Sequence, residues 1–249
     1  MTQCEKQMIL AYNLISWQEF GLKDPIITDI SPSTNNHILL CGMSGSGKSY
    51  AELGLFARLV VANPDCEVYF ADYKQEDSFA FLRACPRYFP YKRTIEALDI
   101  VYHKLQMRQS GEDQTRNAII LIWDEYVANI LSLMEQDKKK ATSVMNKVSE
   151  ILMIGRSPNI KILVSCQRPD AIVFPHGSRL NYGIVFILGA SNRGIYEMLI
   201  PEYMHIVEGK EFKRGEGILI LQGSQLNFVK IPTIQDESKI QELCIKALS

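Results

Sequence analysis

Gly42-Met43-Ser44-Gly45-Ser46-Gly47-Lys48-Ser49 fits the pattern Gly-x-x-x-x-Gly-Lys-Ser/Thr with no position missing. Outward from it, His37-Ile38-Leu39-Leu40-Cys41 reads as a short buried strand, and Tyr50 to Val60 reads as a helix. Strand, glycine loop and helix in that order build a cradle for polyphosphate. The glycines let backbone N–H groups approach the anion, and the positive end of the following helix favours negative charge. In such a cradle Lys48 reaches the β- and γ-phosphates and the Ser49 hydroxyl ligates Mg²⁺. A plain Gly/Ser turn into a helix needs neither the lysine nor its spacing. The expected nucleotide-binding residues are Gly42, Met43, Ser44, Gly45, Ser46, Gly47, Lys48, Ser49 and Tyr50.

A second pattern follows at Ala118-Ile119-Ile120-Leu121-Ile122-Trp123, a continuous apolar run that ends abruptly in Asp124-Glu125. The run fits a central parallel strand. Acids at the carboxyl end of such a strand lie where open α/β sheets bind their ligands. Asp124 is suited to hold Mg²⁺ through its water shell, and Glu125 to act as general base on the attacking water. Read without the phosphate loop, the same two acids could cap a helix from Tyr126 onward.

The 249 residues suit one large α/β domain or two small ones, and 47% hydrophobic content is enough for a substantial core. No apolar run reaches the ~18 to 20 residues that span a bilayer, and no signal-peptide pattern opens the chain, so a cytoplasmic protein without direct membrane insertion is expected. The six cysteines (Cys4, Cys41, Cys66, Cys85, Cys166, Cys244) form no Cys-x-x-Cys pair and read as reduced thiols. The histidines His37, His103, His176 and His205 are unclustered and suggest no metal site. A net charge of −1 makes any nucleic-acid contact local, not spread over the whole surface.

Periodicity places an amphipathic helix near Glu5 to Trp17, a strand at Ile26 to Ile30 and a polar turn at Ser31 to Asn36. It places further strands at Glu67 to Ala71, Lys161 to Ser165 and Gly183 to Leu188. Helices are expected from Thr94, as its cap, to Arg108, from the Lys138-Lys139-Lys140 run through Ile154, and around Ile195 to Leu199. Gln109 to Asn117 reads as a surface loop. Gly217 to Leu221 and Leu226 to Lys230 read as a hairpin, with a helix from Glu237 to Leu248 behind it. One domain over 1–249 is expected: a helix-and-strand lead-in over 1–35, a core over 36–235 and a helix over 236–249.

The stretch Gly155 to Pro169, with Arg156, the strand Lys161 to Ser165 and then Gln167-Arg168-Pro169, resembles the FtsK/SpoIIIE/HerA family of ring-forming DNA translocases. The phosphate loop, the acidic strand, Asp72-Tyr73-Lys74 (Asp-Pro-Lys in the family), Ser191 to Leu199 and Gly21 to Ile30 are similar to family segments, over roughly residues 20 to 235. The resemblance implies a RecA-like P-loop NTPase fold, a central mostly parallel sheet flanked by helices. It implies that Gln167 contacts the γ-phosphate or the attacking water, and that Arg156 reaches a neighbouring subunit's nucleotide, with Arg168 and Arg193 as rivals. A guanidinium supplied in trans would make a homo-oligomer, expected as a hexameric ring, part of the catalytic machinery.

The membrane segments and DNA-reading winged-helix domain of the long translocases have no counterpart here, so a bare motor core is expected. The function expected is ATP- and Mg²⁺-dependent translocation of double-stranded DNA, for transfer of a mobile element or genome packaging, with a membrane channel, relaxase or capsid as partner. Candidate DNA contacts are Lys138, Lys139, Lys140, Lys210, Lys213 and Arg214, although a charge run is also a solvated face. The absence of a GTP-selecting Asn/Thr-Lys-x-Asp pattern favours ATP. The alternatives are a nucleotide-switched scaffold, a secretion ATPase that moves protein, and a kinase, which Asp124-Glu125 with Gln167 disfavours.

Overall fold

The structure, a computed structural model, describes residues 7–31 and 37–249. From the amino end, strand β1 (Gln7–Asn13), helix α1 (Leu14–Phe20) and strand β2 (Pro25–Asp29) precede strand β3 (Ile38–Gly42) and helix α2 (Lys48–Ala62). Strands β4 (Glu67–Asp72) and β5 (Tyr88–Pro90), helix α3 (Thr94–Ser110) and the acidic strand β6 (Ile119–Asp124) follow. Helices α4 (Tyr126–Gln136) and α5 (Lys138–Ile154) lead to strand β7 (Ile160–Cys166) and then β8 (Ile184–Leu188). Helices α6 (Arg193–Leu199) and α7 (Met204–Val207), the hairpin β9 (Glu216–Leu221) and β10 (Gln225–Lys230), and helix α8 (Glu237–Leu248) come last.

The described strands form one sheet in the order β2-β1-β10-β9-β8-β3-β7-β6-β4-β5. From β8 to β5 every neighbouring pair is parallel. From β8 outward to β2 the pairs are antiparallel. This is the expected α/β architecture, a mostly parallel central sheet flanked by helices. Strands β3, β6 and β7 are buried at every residue, because helices cover both faces. Alternate residues divide between two cores. Leu39, Cys41, Leu121, Trp123 and Val164 pack with Leu98 of α3 and Val148 of α5, whereas Ile38, Leu40, Ile120, Ile122 and Leu163 pack with Phe56 of α2 and Leu248 of α8.

Two expectations need correction. The segment read as a helix near Glu5 to Trp17 is strand β1 followed by the short helix α1. Met8 and Leu10 alternate inward, at 2% and 0% exposure, and β1 hydrogen-bonds to both β2 and β10. Those pairings are invisible to a local periodicity count, in which Met8, Tyr12 and Ile15 also fit a helix. Asn13 marks the change, because its Oδ1 accepts the Ser16 N–H at 3.0 Å and caps α1. Glu5, Cys4 and the turn residues 32–36 lie outside the described residues.

Thr94 is not the cap of α3. It is the first helical residue, and its Oγ1 donates to the Tyr91 carbonyl at 2.8 Å and lies 2.7 Å from Asn129 Oδ1. The polar stretch is the expected surface loop from residue 111 to 117, with residues 109 and 110 still in α3. The Arg108 guanidinium is buried beneath it and bonds to Asp113, Thr115, Asn117 and the Pro158 carbonyl. The five described cysteines are all free thiols, four of them buried.

Candidate nucleotide site

The loop after β3 has the backbone that the glycine pattern demands. Gly47 has φ +91°, in the left-handed region, and a Cβ there would meet the Gly215 nitrogen at 3.2 Å. At Gly42 a Cβ would come within 2.5 Å of Ser46 Oγ. Helix α2 starts at Lys48, and its first backbone bond runs from Ala51 N–H to the Gly47 carbonyl. The N–H groups of Lys48, Ser49 and Tyr50, in the first turn, are therefore left without a helical carbonyl partner at the positive end of a 15-residue helix.

Parallel pairing brings the other groups to the same edge. The register of β4, β6, β7 and β3 puts Asp72 beside Asp124 and Cys41 beside Cys166, so Lys74, Glu125 and Gln167 all emerge next to the loop. Lys48 Nζ lies 3.2 Å from Asp124 Oδ1 and 2.9 Å from Glu125 Oε1. Lys74 Nζ reaches the same Glu125 oxygen at 2.9 Å, and Gln167 Nε2 donates to it at 3.3 Å. Glu125 is 2% exposed and sits at φ +55°, a conformation unusual for a residue with a side chain. Burial raises its pKa, but Lys48 and Lys74 more than offset that and hold it below the usual glutamate range.

Behind these groups, Ser165 Oγ donates to Asp124 Oδ1 at 2.6 Å and accepts the Glu125 N–H at 3.3 Å. Ser49 Oγ donates to Glu76 Oε2 at 2.9 Å. Glu52, one turn into α2, is fully buried, and neither of its carboxyl oxygens has a hydrogen-bond partner. Burial first, and the Asp124 charge second, raise its pKa well above the usual value. Burial lowers the pKa of Lys48, but Asp124, Glu52 and Glu125 raise it more, so the lysine stays charged.

The cavity over the loop measures about 300 Å³ and is lined by Met43, Ser44, Lys48, Tyr50, Gln167 and Arg214, among others. Its donor set suits a polyphosphate with a hard divalent cation: loop N–H groups and two lysines for the anion, carboxylate and hydroxyl oxygens for the cation. Ser49 lines this cavity, and Asp124 Oδ2 is buried without a hydrogen-bond partner, an oxygen left free of protein donors. The residues present therefore fit Mg²⁺.

Sequence reasoning missed four of these residues. Lys74 lay in a matched segment but had no role. Ser165 sits two residues before Gln167. Glu52 was detectable as an acid on the buried face of a helix. Arg214, one of the candidate DNA contacts, lies against the phosphate loop, because the Gly215 N–H bonds to the Ser46 carbonyl at 2.8 Å. Arg156 is exposed at the other end of β7, about 20 Å from Gln167 at strand rise. Arg168 is paired with Asp170 at 2.9 Å and Arg193 with Glu197 at 2.7 Å. Lys138, Lys139 and Lys140 are exposed at the start of α5, and Lys140 lines a small cavity with Tyr73 and Tyr91. Lys210 and Lys213 are also exposed, the former 5.0 Å from the centre of the Phe228 ring.

The fold recurs in known proteins. The sequence is 24% identical over 195 residues to the FtsK domain-containing protein YdcQ of Bacillus subtilis (strain 168), a match to 72% of this chain and 40% of that protein. The resemblance is to FtsK-type P-loop ATPases. No family model matches this FtsK-like chain. Among solved structures, the pCW3 conjugation coupling protein TcpA with ATPγS superposes at TM-score 0.71 and 18% identity, over 98% of this chain and 71% of that one. The cytoplasmic domain of the type VII secretion ATPase EccC of Thermomonospora curvata superposes at 0.68 and 15% identity, over 100% of this chain and 32% of that one. The genome packaging NTPase B204 of Sulfolobus turreted icosahedral virus 2 with ATPγS gives 0.51 and 14% identity, over 80% of this chain and 98% of that one. The chain thus spans well under half of the curated relative. Among the described residues, no helix is long and apolar enough to cross a membrane.

Proposed function

We propose that this FtsK-like chain binds and hydrolyses ATP and uses the energy to move double-stranded DNA. The observation that carries the hydrolytic part is the convergence of Lys48, Lys74 and Gln167 on one oxygen of Glu125, beside the phosphate loop. The loop N–H groups and Lys48 bind the polyphosphate, and Lys48 exchanges its carboxylate partners for phosphate oxygens as it does so. Ser49 and Asp124 would hold Mg²⁺, which neutralises phosphate charge when bound. Released by Lys48, Glu125 keeps Lys74 and Gln167 as partners and accepts a proton from the attacking water, which Gln167 orients. Arg214, held against the loop, adds a positive charge to the phosphate pocket. Arg156 lies too far from its own Gln167 to act there, which suits a role in a neighbouring subunit of a homo-oligomeric, hexameric ring.

In this reading the protein works in the cytoplasm, with Lys138 to Lys140, Lys210 and Lys213 as DNA contacts. Its task would be transfer of a mobile element or genome packaging, with a membrane channel, relaxase or capsid as partner. A second reading, a protein-translocating ATPase or nucleotide-switched scaffold, is favoured by the superposition of the whole chain on EccC. Steady-state hydrolysis with and without long double-stranded DNA separates the two. Stimulation that Lys48→Ala abolishes supports the DNA motor. Hydrolysis indifferent to DNA but raised by a protein partner supports the second reading. Near-normal turnover in Lys48→Ala or Glu125→Gln would overturn the site itself.

A further inference from the structure

Beyond its first two turns, α2 forms one wall of a second cavity, about 490 Å³ in volume. Ile9 and Tyr12 of β1, Val61 of α2, Ile234, and Leu243 of α8 give it mainly apolar walls. A cavity of this size and character matches sites for small organic ligands. Tyr50 Oη accepts the Ile234 N–H, and this bond stands between the cavity and the phosphate pocket.

Among the described residues lining the cavity, Arg58 alone is charged. Its Nη1 is fully buried and has no hydrogen-bond partner. The guanidinium folds back over the preceding turn, where a Cβ on Gly54 would come within 3.1 Å of Nη2. The side chain as a whole is half-buried and burial lowers its pKa, yet a guanidinium remains charged in a protein, so the cavity wall carries a partly desolvated cation whose Nη1 has no partner. Such a charge is costly unless an anion satisfies it. Every other lining group is apolar or uncharged, so the anion should belong to a ligand with an apolar body.

We propose that this cavity binds a small amphipathic anion, one carboxylate on an apolar chain, with Arg58 holding the carboxylate and β1, α2 and α8 enclosing the chain. The proposal is independent of the nucleotide reading. Octanoate and octan-1-ol are the probes, followed by methyl-detected NMR at Ile9, Val61 and Leu243 of the full chain. Saturable shifts are expected with both, with octanoate tighter by about tenfold, the difference one charge-assisted contact makes. Arg58→Gln should abolish that preference and leave octanol binding unchanged, which also shows that the variant folds. Lys48→Ala should leave octanoate binding intact. Equal affinity for octanoate and octanol, an absence of saturable shifts, or displacement of octanoate by AMP would each overturn the proposal, the last by making the cavity part of the nucleotide site.

Discussion

Lys74 Nζ lies 2.9 Å from Glu125 Oε1, the same oxygen that Lys48 reaches at 2.9 Å. Once Lys48 turns to phosphate, Lys74 is the cation left to keep Glu125 ionised. Lys74 points there because Asp72, fully buried, anchors the strand end by accepting the Gln75 N–H and the Tyr88 hydroxyl, both at 2.6 Å.

Lys74→Met should therefore raise the pKa of Glu125. The base is useful only when ionised, so the acidic limb of the kcat profile should move to higher pH, by about one unit. An unmoved limb, in a variant that still binds ATP, would show that Lys74 does not tune Glu125.

Arg214 separates two assignments of one side chain. Against the phosphate loop, Arg214→Ala should weaken binding of a fluorescent ATP analogue about tenfold, while Lys213→Ala leaves it near normal. If Arg214 contacts DNA instead, nucleotide affinity will hold and the salt dependence of DNA binding will fall by about one counter-ion.

His37 gives the fold an acid-sensitive point. It is buried, its Nδ1 accepts the Ile162 N–H at 3.1 Å, and burial, helped by Lys161, pushes its pKa from 6.5 down to about 3. The unfolded chain binds the proton more tightly, so the stability that His37 contributes is full above pH 6.5 and is lost as pH falls toward 3. Denaturant unfolding should show a loss of about 2 to 3 kcal/mol over the first two pH units below that value. His37→Asn, which keeps an acceptor for Ile162, should flatten this dependence.

Arg108 should be costly to remove. Its side chain is 1% exposed and pairs with Asp113 at 2.9 Å. It also bonds to the carbonyls of Asn117 and Pro158, which lie on either side of β6 in the chain. Arg108→Met should lower unfolding free energy by about 3 to 5 kcal/mol, read from the denaturant midpoint at unchanged m-value.

The sequence by itself determined the phosphate loop, the acidic strand end and most of the parallel sheet. Each depends on residues close in the chain: glycines that permit Gly47 its positive φ, and apolar runs such as Ile119 to Trp123 that can be buried on both faces. Tertiary structure decided where local signals compete or carry no distance. Residues 7–13 fit either period, and only pairing with β2 and β10 made them a strand. The partners of Glu125 come from the ends of β4 and β7 and the start of α2, and sheet register, not spacing along the chain, brings them within 3.3 Å of one oxygen. Arg214 and Arg58 show the same limit. Their spacing in the sequence distinguishes neither from a surface arginine; a backbone bond to Ser46 brings the first to the phosphate pocket, and packing of β1 and α8 around α2 encloses the second.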